Sequence, residues 1–449
     1  MARGLIFNFT SRSVLLTLVV GLSGALVQTA AADRLLLLTI DGVPGAPGLD
    51  AKGNLALATR FAASLKKAQA PALIFAVGSR LRSNDGALRK FTDIGIEVGS
   101  LGQAARDLGL TELDAWLGDF ESGRSSLTDV LATLKAKQRT VRYFRFPGLS
   151  EGIVPEHQIA AKNAMAAAGG RHVDATVDLI DGGLDAAFRA QLGKSKREQD
   201  KRVLAELSQD WLAAMRALIG RSEKVGDRVA GEDSPQVLRL TFDTITADNL
   251  DALLGWLIRQ GYRLAPATEV LGHPIFSRPH SYTGRRGVSL YWRVRISDDL
   301  RRAEKEVNDL LFKAGESWSR GDLDGFMAAF TEDARIVSGR QLVEGRQTIR
   351  AKYRERYPTA GSMGRLAIEL SRFDIHTTDR ETLYGLIEPI PPRFATATAK
   401  WTLIPKRGMG RTGYASLALQ KTNAGWRILE DHSSTGSFIR TAKGSKKGN

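Results

Sequence analysis

The sequence predicts two folds in one chain: an α/β unit built on a parallel sheet or a (β/α) barrel, followed by an α+β unit. Three observations carry this. Short apolar runs alternate with amphipathic stretches from residue 33 to about 295. From 296 onward, helical patterns come first and strand-like runs follow. At 449 residues, the chain is also too long for one ordinary core.

The first unit is organised around Leu35-Leu36-Leu37-Leu38-Thr39-Ile40-Asp41-Gly42-Val43-Pro44. A continuous apolar run of this length, closed by Gly42 and Pro44, reads as a strand buried on both faces, as in parallel sheets. Asp41 falls at its C-terminal end, where α/β folds build active sites, although a carboxylate there also serves simply to cap the next turn. Leu55 to Ala68 follows at helical spacing. Pro71 to Gly78, Ile94 to Gly99, Thr140 to Pro147 and Val173 to Ile180 read as further strands. Leu81 to Thr92, Thr111 to Lys137 and the alanine-rich His157 to Gly169 read as the helices between them. Leu184 to Ile219 is a long helical stretch broken by the charged run Lys194 to Arg202. Gln236 to Asp243 is a late strand ending on an acid, Ala247 to Gln260 an amphipathic helix, and Val270 to Arg295 mostly irregular.

In the second unit, Ser297 reads as the N-cap of a helix running to about Ser319, with Ala303, Val307, Leu310, Leu311, Ala314 and Trp318 as its apolar stripe. Two shorter helical patterns follow, beginning at Gly321 and Gly345. Strand-like runs then cover Leu366–Ile375, Phe394–Leu403, Tyr414–Thr422 and Trp426–His432. Asn423-Ala424-Gly425 supplies a hairpin turn between the last two. Asp431-His432 is the one acid–histidine pair of this unit and a candidate ligand-binding pair. As strand neighbours, the two side chains point to opposite faces.

Composition sets outer limits. Apolar residues make up 43% and charged residues 25%, as in a globular protein. There is no cysteine, which excludes disulfides, thiolate nucleophiles and cysteine-ligated zinc. The formal charge of +15 suits acidic surfaces such as cell-wall polymers or membrane headgroups. The basic residues are spread out and no nucleic-acid motif is present, so no nucleic-acid partner is expected. Arg3 and Arg12 precede an apolar run from Val14 to Leu26, and Ala30-Ala31-Ala32 precede Asp33. This is the pattern of a secretory signal peptide over 1–32, with an uncleaved anchor as the alternative. A secreted or periplasmic protein with no membrane span after cleavage is expected. The basic, small-residue tail (437–449) is expected to be disordered.

The landmarks of 33–295 together resemble polysaccharide deacetylases of carbohydrate esterase family four. Thr39-Ile40-Asp41-Gly42 is similar to the family's Thr-Phe-Asp-Asp motif. Gly95-Ile96-Glu97-Val98-Gly99 is similar to the stretch leading into its histidine motif, and Phe144-Arg145-Phe146-Pro147-Gly148 to its Arg-Pro-Pro-Tyr motif. The Ala72–Gly78 strand and the closing strand and helix fall in the family's order. The resemblance implies a distorted (β/α) barrel of the deacetylase type. It also implies a zinc ion held by one Asp and two His, an Asp base and a His acid. Carried over, Asp41 takes the base position, with Arg145 orienting it as the second catalytic residue. Gly42 stands at the metal-binding Asp, Leu101 and Ala105 at the histidine pair, and Thr241 at the acid. The six histidines are 157, 172, 273, 280, 376 and 432, so no register shift restores a pair before residue 157. A rebuilt zinc site would need His157 and His172 with Asp178 or Asp181. The expectation is therefore no metal, no cofactor and a pseudoenzyme, with Asp178, Asp181 and Asp243 as further ligand-binding candidates.

Residues 296–436 resemble the nuclear transport factor 2-like, SnoaL-like superfamily. The resemblance rests on Trp318 to Asp322, Phe326 to Asp333, Gly345 to Ile349 and Gly425 to Ser434. It implies a cone-shaped domain with a curved antiparallel sheet, a pocket and homodimerisation. The reading joins the two: a glycan- or cell-envelope-binding protein with a dimerising or ligand-binding C-terminal module. The alternatives are an active carbohydrate deacetylase working through an altered site around Asp41 and Arg145, and small-ligand binding or catalysis in the C-terminal pocket.

Overall fold

The computed structural model describes residues 34–179, 183–195, 200–284, 287–338, 341–376, 379–381, 387–389, 392–434 and 436–439. The segment expected to be a signal peptide (1–32), the tail beyond 439 and Asp181 lie outside them.

The first unit alternates β1 (Arg34–Val43), α1 (Ala51–Lys67), β2 (Ala72–Ala76), α2 (Asp85–Thr92), β3 (Glu97–Ser100), α3 (Leu113–Thr133), β4 (Tyr143–Phe144), α4 (Pro155–Ala167), β5 (Arg171–His172) and β6 (Val177–Asp178). It continues with α5 (Leu184–Leu192), α6 (Lys201–Ala230), β7 (Gln236–Thr241), α7 (Thr244–Arg259), β8 (Tyr262–Leu264) and α8 (Ala267–Val270). The sheet order is β5-β4-β3-β2-β1-β7-β6, with β8 added beside the start of β1, and every pairing is parallel. No ladder joins β5 to β6 among the described residues, so the barrel is open there. This is the distorted (β/α) barrel expected from the sequence.

β1 is central and buried on both faces, which is why Leu35 to Leu38 and Ile40 are apolar. Leu36, Leu38 and Ile40 pack outward against helix residues such as Phe61, Leu250 and Leu254. Leu37 faces the barrel interior with Leu73, Phe75, Val173 and Val237. Thr39 and Asp41 continue that inward column by the two-residue period of a strand. Asp41 therefore sits inside the barrel at the C-terminal end of its central strand. The same period places Arg239 of β7 inward with Val237.

The boundary between the units lies inside one helix. The irregular stretch expected up to Arg295 gives way at Leu290, where α9 (Leu290–Ser319) begins. Ser297 is not its N-cap. It is buried mid-helix and donates to the Arg293 carbonyl at 2.9 Å. Leu290, Tyr291 and Val294 pack on Val225, Val229 and Ile275 of the barrel. Ala303, Val307, Leu311, Ala314 and Trp318 of the same helix enter the second core.

That second unit adds α10 (Leu323–Met327), β9 (Phe330–Ser338), β10 (Gln341–Glu344), α11 (Arg346–Arg356), α12 (Ala360–Met363) and β11 (Arg365–His376). A short β12 (Asp379–Glu381) and β13 (Ile387–Pro389) pair with each other. β14 (Phe394–Ile404), β15 (Gly410–Thr422), β16 (Gly425–Ser433) and β17 (Ser437–Ile439) complete the chain. The main sheet runs β10-β9-β16-β15-β14-β11, antiparallel except between β9 and β16. Ala395, Ala397 and Ala399 are buried against the helices, while Phe394, Thr396 and Lys400 between them are exposed. This is the alternation of a sheet with one covered face. No helix among the described residues is long and apolar enough to cross a membrane.

Candidate functional site

The C-terminal ends of β1, β4, β6 and β7 meet in a chain of charges. Arg145, just beyond β4, is 1% exposed and lies over the Phe75 ring at 4.3 Å. It donates from Nε to the Val173 carbonyl at 2.9 Å. Its Nη1 donates to Thr39 Oγ1 at 2.8 Å and to Asp41 Oδ1 at 2.7 Å. The other oxygen of Asp41, Oδ2, accepts from Arg239 Nε at 2.7 Å. Arg239 then turns its Nη1 to Asp178 Oδ1. Burial works against the Arg239 charge, but Asp178 and Asp41 outweigh it and raise its pKa.

Three sequence-predicted residues, Asp41, Arg145 and Asp178, are thus brought into one network, and Arg239 is the link that sequence reading missed. Both oxygens of Asp41 are bound to guanidinium groups. A general base presents a carboxylate oxygen to a water or a substrate proton. Here each oxygen is already committed to a cation.

The positions of the deacetylase zinc ligands do not fit a metal. Gly42 lies at a bulge of β1 with φ of +90°, which L side chains rarely adopt. Leu101 is packed into the barrel interior with Val77 and Tyr143. Ala105 carries no ligand atom. Thr241, at the acid position, is exposed at the end of β7, beside Asp41 in register. No step through that zinc is available to these residues.

Asp243 is drawn into local structure instead. Its Oδ1 accepts from the Thr246 amide at 2.9 Å and caps α7. Asp185 accepts from the next amides of the same helix start, Thr244 and Ile245.

A second polar centre lies on the far side of Arg145, whose Nη2 faces the Asp174 carbonyl at 3.5 Å. Arg293 of α9 is buried there between Glu151 and Asp174 and also donates to the Leu149 carbonyl. Burial alone would push both carboxyls up, but the Arg293 guanidinium holds Glu151 well below the usual range and lowers Asp174 too. Nothing local in the sequence joins residues 151, 174 and 293; only the fold does.

In the second unit, Asp431 and His432 part company. Asp431 pairs in register with Leu417 and Ile336, both buried, and faces the interior of the cone near Tyr353. Its carboxyl is half-buried there, and desolvation pushes its pKa up against the Ser433 hydroxyl and His432, which lower it. His432 is exposed on the outer face of the sheet.

Residues 300–430 match the sequence profile of the SnoaL-like domain. No curated protein matches the chain. Among solved structures, the chain is similar to an NTF-2 like protein of unknown function from Shewanella oneidensis. Identity is 25%, over 29% of this chain and 98% of that one, with a TM-score of 0.25. It is also similar to a CE4 family pseudoenzyme from Bacillus anthracis, at 17% identity over 54% and 66% of the two chains (TM-score 0.37). A third similar structure is a mutant peptidoglycan deacetylase from Bacillus subtilis, at 15% identity over 60% and 97% (TM-score 0.34).

Proposed function

We propose that the chain is a secreted, glycan- or cell-envelope-binding protein. Its deacetylase-like barrel does not perform metal-dependent hydrolysis at Asp41. Its SnoaL-like domain serves as a dimerising or ligand-binding module. The observation that carries this reading is the double guanidinium clamp on Asp41. The deacetylase resemblance implies one arginine on this carboxylate, at Arg145; here Arg239 holds its second oxygen as well. The net charge of +15 supports an acidic polymer as partner. Phe394 and Tyr414, exposed on the outer sheet face, support self-association through that face. One observation favours a ligand role for the cone as well. Asp431 is a half-buried carboxyl with a raised pKa near Tyr353, a combination suited to a polar ligand.

The test is calorimetric titration of the full chain with N-acetylated chito-oligosaccharides and with soluble peptidoglycan fragments. Saturable binding that is indifferent to chelator and retained in Asp41→Asn is the expected result. Absence of binding to every envelope glycan tried would remove the proposal.

A further inference from the structure

The polar centre around Arg293 has donors left over. Arg293 Nη1 takes one oxygen from each carboxylate, Glu151 Oε1 and Asp174 Oδ1. The remaining oxygens face imidazoles. Glu151 Oε2 lies 3.6 Å from His280 Nε2, and Asp174 Oδ2 lies 3.7 Å from His172 Nδ1. Both separations exceed hydrogen-bond reach. They are close to the spacing of two donors around one ion, since ligands ~2.1 Å from a tetrahedral centre stand ~3.4 Å apart.

The His280 side chain is 4% exposed, and neither ring nitrogen has a hydrogen-bond partner among the described residues. His172 Nε2, in the same cluster, also lacks one. A buried imidazole with both nitrogens unsatisfied is costly, and it is aimed at a carboxylate it does not reach. Ligand atoms of Glu151, Asp174 and His280 all lie within 4.8 Å of one another. The centre already draws a cation. Lys162 Nζ reaches Glu151 Oε2 at 2.6 Å from the rim, with its side chain 37% exposed, as an ion pair without hydrogen-bond geometry.

We propose that Glu151, Asp174 and His280 form a binding site for a divalent transition-metal ion of the zinc class. His172 stands by as a fourth donor, and Lys162 swings out to solvent when the ion enters. Mixed imidazole and carboxylate donors select zinc-like ions over magnesium or calcium. Lys162 leaves as the ion arrives, so the two carboxylates are not surrounded by three cations at once. None of these residues occupies a position of the deacetylase zinc ligands. The ion would join the loop after β4, the segment after β5 and the loop before α9. It would thereby fasten the start of α9 to the face of the barrel that carries Asp41. Sequence reading weighed His172 as part of a zinc site but with His157, Asp178 or Asp181. The structure gives Asp178 to Arg239 and brings His280 to Glu151 instead.

The experiment uses the full chain stripped with chelator and then titrated with zinc and with cobalt chloride. Stoichiometry is followed by calorimetry, the ligand field by cobalt absorption, and stability by thermal melting. One ion per chain, a cobalt band of low-symmetry type and a raised Tm are expected. His280→Ala removes a side chain that makes no hydrogen bond, so it should fold as the parent does, and it should lose at least ~10-fold in affinity. Lys162→Gln removes the competing ammonium and should bind several-fold tighter. His432→Ala, on the exposed sheet face, should bind as the parent does. Zinc binding unchanged in both His280→Ala and Lys162→Gln, or no stoichiometric binding by the parent, would overturn the proposal. Either result leaves the glycan reading standing, because that reading is tested by sugar and not by metal.

Discussion

The two domains treat an inward-facing carboxyl in opposite ways. In the barrel, Glu151 and Asp174 share the Arg293 guanidinium, and Asp41 and Asp178 share that of Arg239. In the cone, half-buried Asp431 has a serine hydroxyl and a histidine as its lowering influences, with no guanidinium among the described residues acting on it. The barrel therefore holds these carboxylates in fixed ion pairs, with both oxygens of Asp41 engaged. The cone holds a carboxyl that retains its proton to higher pH than usual, which is the property a ligand pocket uses. A carboxylate at a barrel strand end is thus not a sign of a reactive group until its counter-charges are counted.

The largest test of this contrast is Arg293→Met. It leaves Glu151 and Asp174 buried together without their guanidinium and should cost about 3–5 kcal/mol in urea unfolding of the barrel. A loss below about 1 kcal/mol would mean that the pairs are not what holds the barrel's polar face. Arg239→Met should cost less, about 1.5–3 kcal/mol, because Asp41 keeps Arg145. Adding Asp178→Asn to it should restore part of that loss, since the second change removes the orphaned charge. The smallest effect belongs to the cone. Asp431→Asn should stabilise the neutral-pH protein by less than either arginine change costs, whereas exposed His432→Ala should stay within about 0.5 kcal/mol of the parent.

The same contrast sets opposite pH signs. The Glu151 pKa is lower in the folded chain than the unfolded value near ~4.3, so its stabilisation is complete above that pH. It is lost as pH falls through the folded value. The Asp431 pKa is higher in the folded chain than the unfolded value near ~3.9. Its stabilisation is present below ~3.9 and is lost as pH rises through the folded value. Hydrogen exchange read domain by domain should show cone amides around β16 gaining protection as pH falls toward about 4, and barrel amides losing it as pH falls further below about 4. Parallel behaviour of the two domains would break the contrast.

Much of this was legible in the residues, and the failures have physical causes. The run through Leu35 to Asp41 could only be a strand buried on both faces, and it is. Arg145 beside Asp41 followed from the resemblance of two motifs. Arg239 was overlooked because Leu-Arg-Leu within a strand reads as ordinary alternation; an arginine between buried neighbours, however, needs an acid to pair with. Asp243 reads in the sequence as a ligand-binding candidate but caps α7, because an acid just after a strand in a βα unit is also the N-cap of the next helix. Ser297-Asp298-Asp299 mimics a helix start. Inside a continuous helix its acids pair instead with arginines such as Arg278, Arg295 and Arg301. The Arg293 centre had no local signature, since Glu151 and Asp174 stand more than a hundred residues before His280 and Arg293.

The central claim is that the clamp on Asp41 replaces metal-dependent hydrolysis at that carboxylate. It is tested most directly by acetate release from an acetylated chito-oligosaccharide by the full chain, with chelator, with added zinc, and in Asp41→Asn. The account predicts no release above the blank in any of the three. Zinc-dependent acetate release that disappears in Asp41→Asn would contradict it.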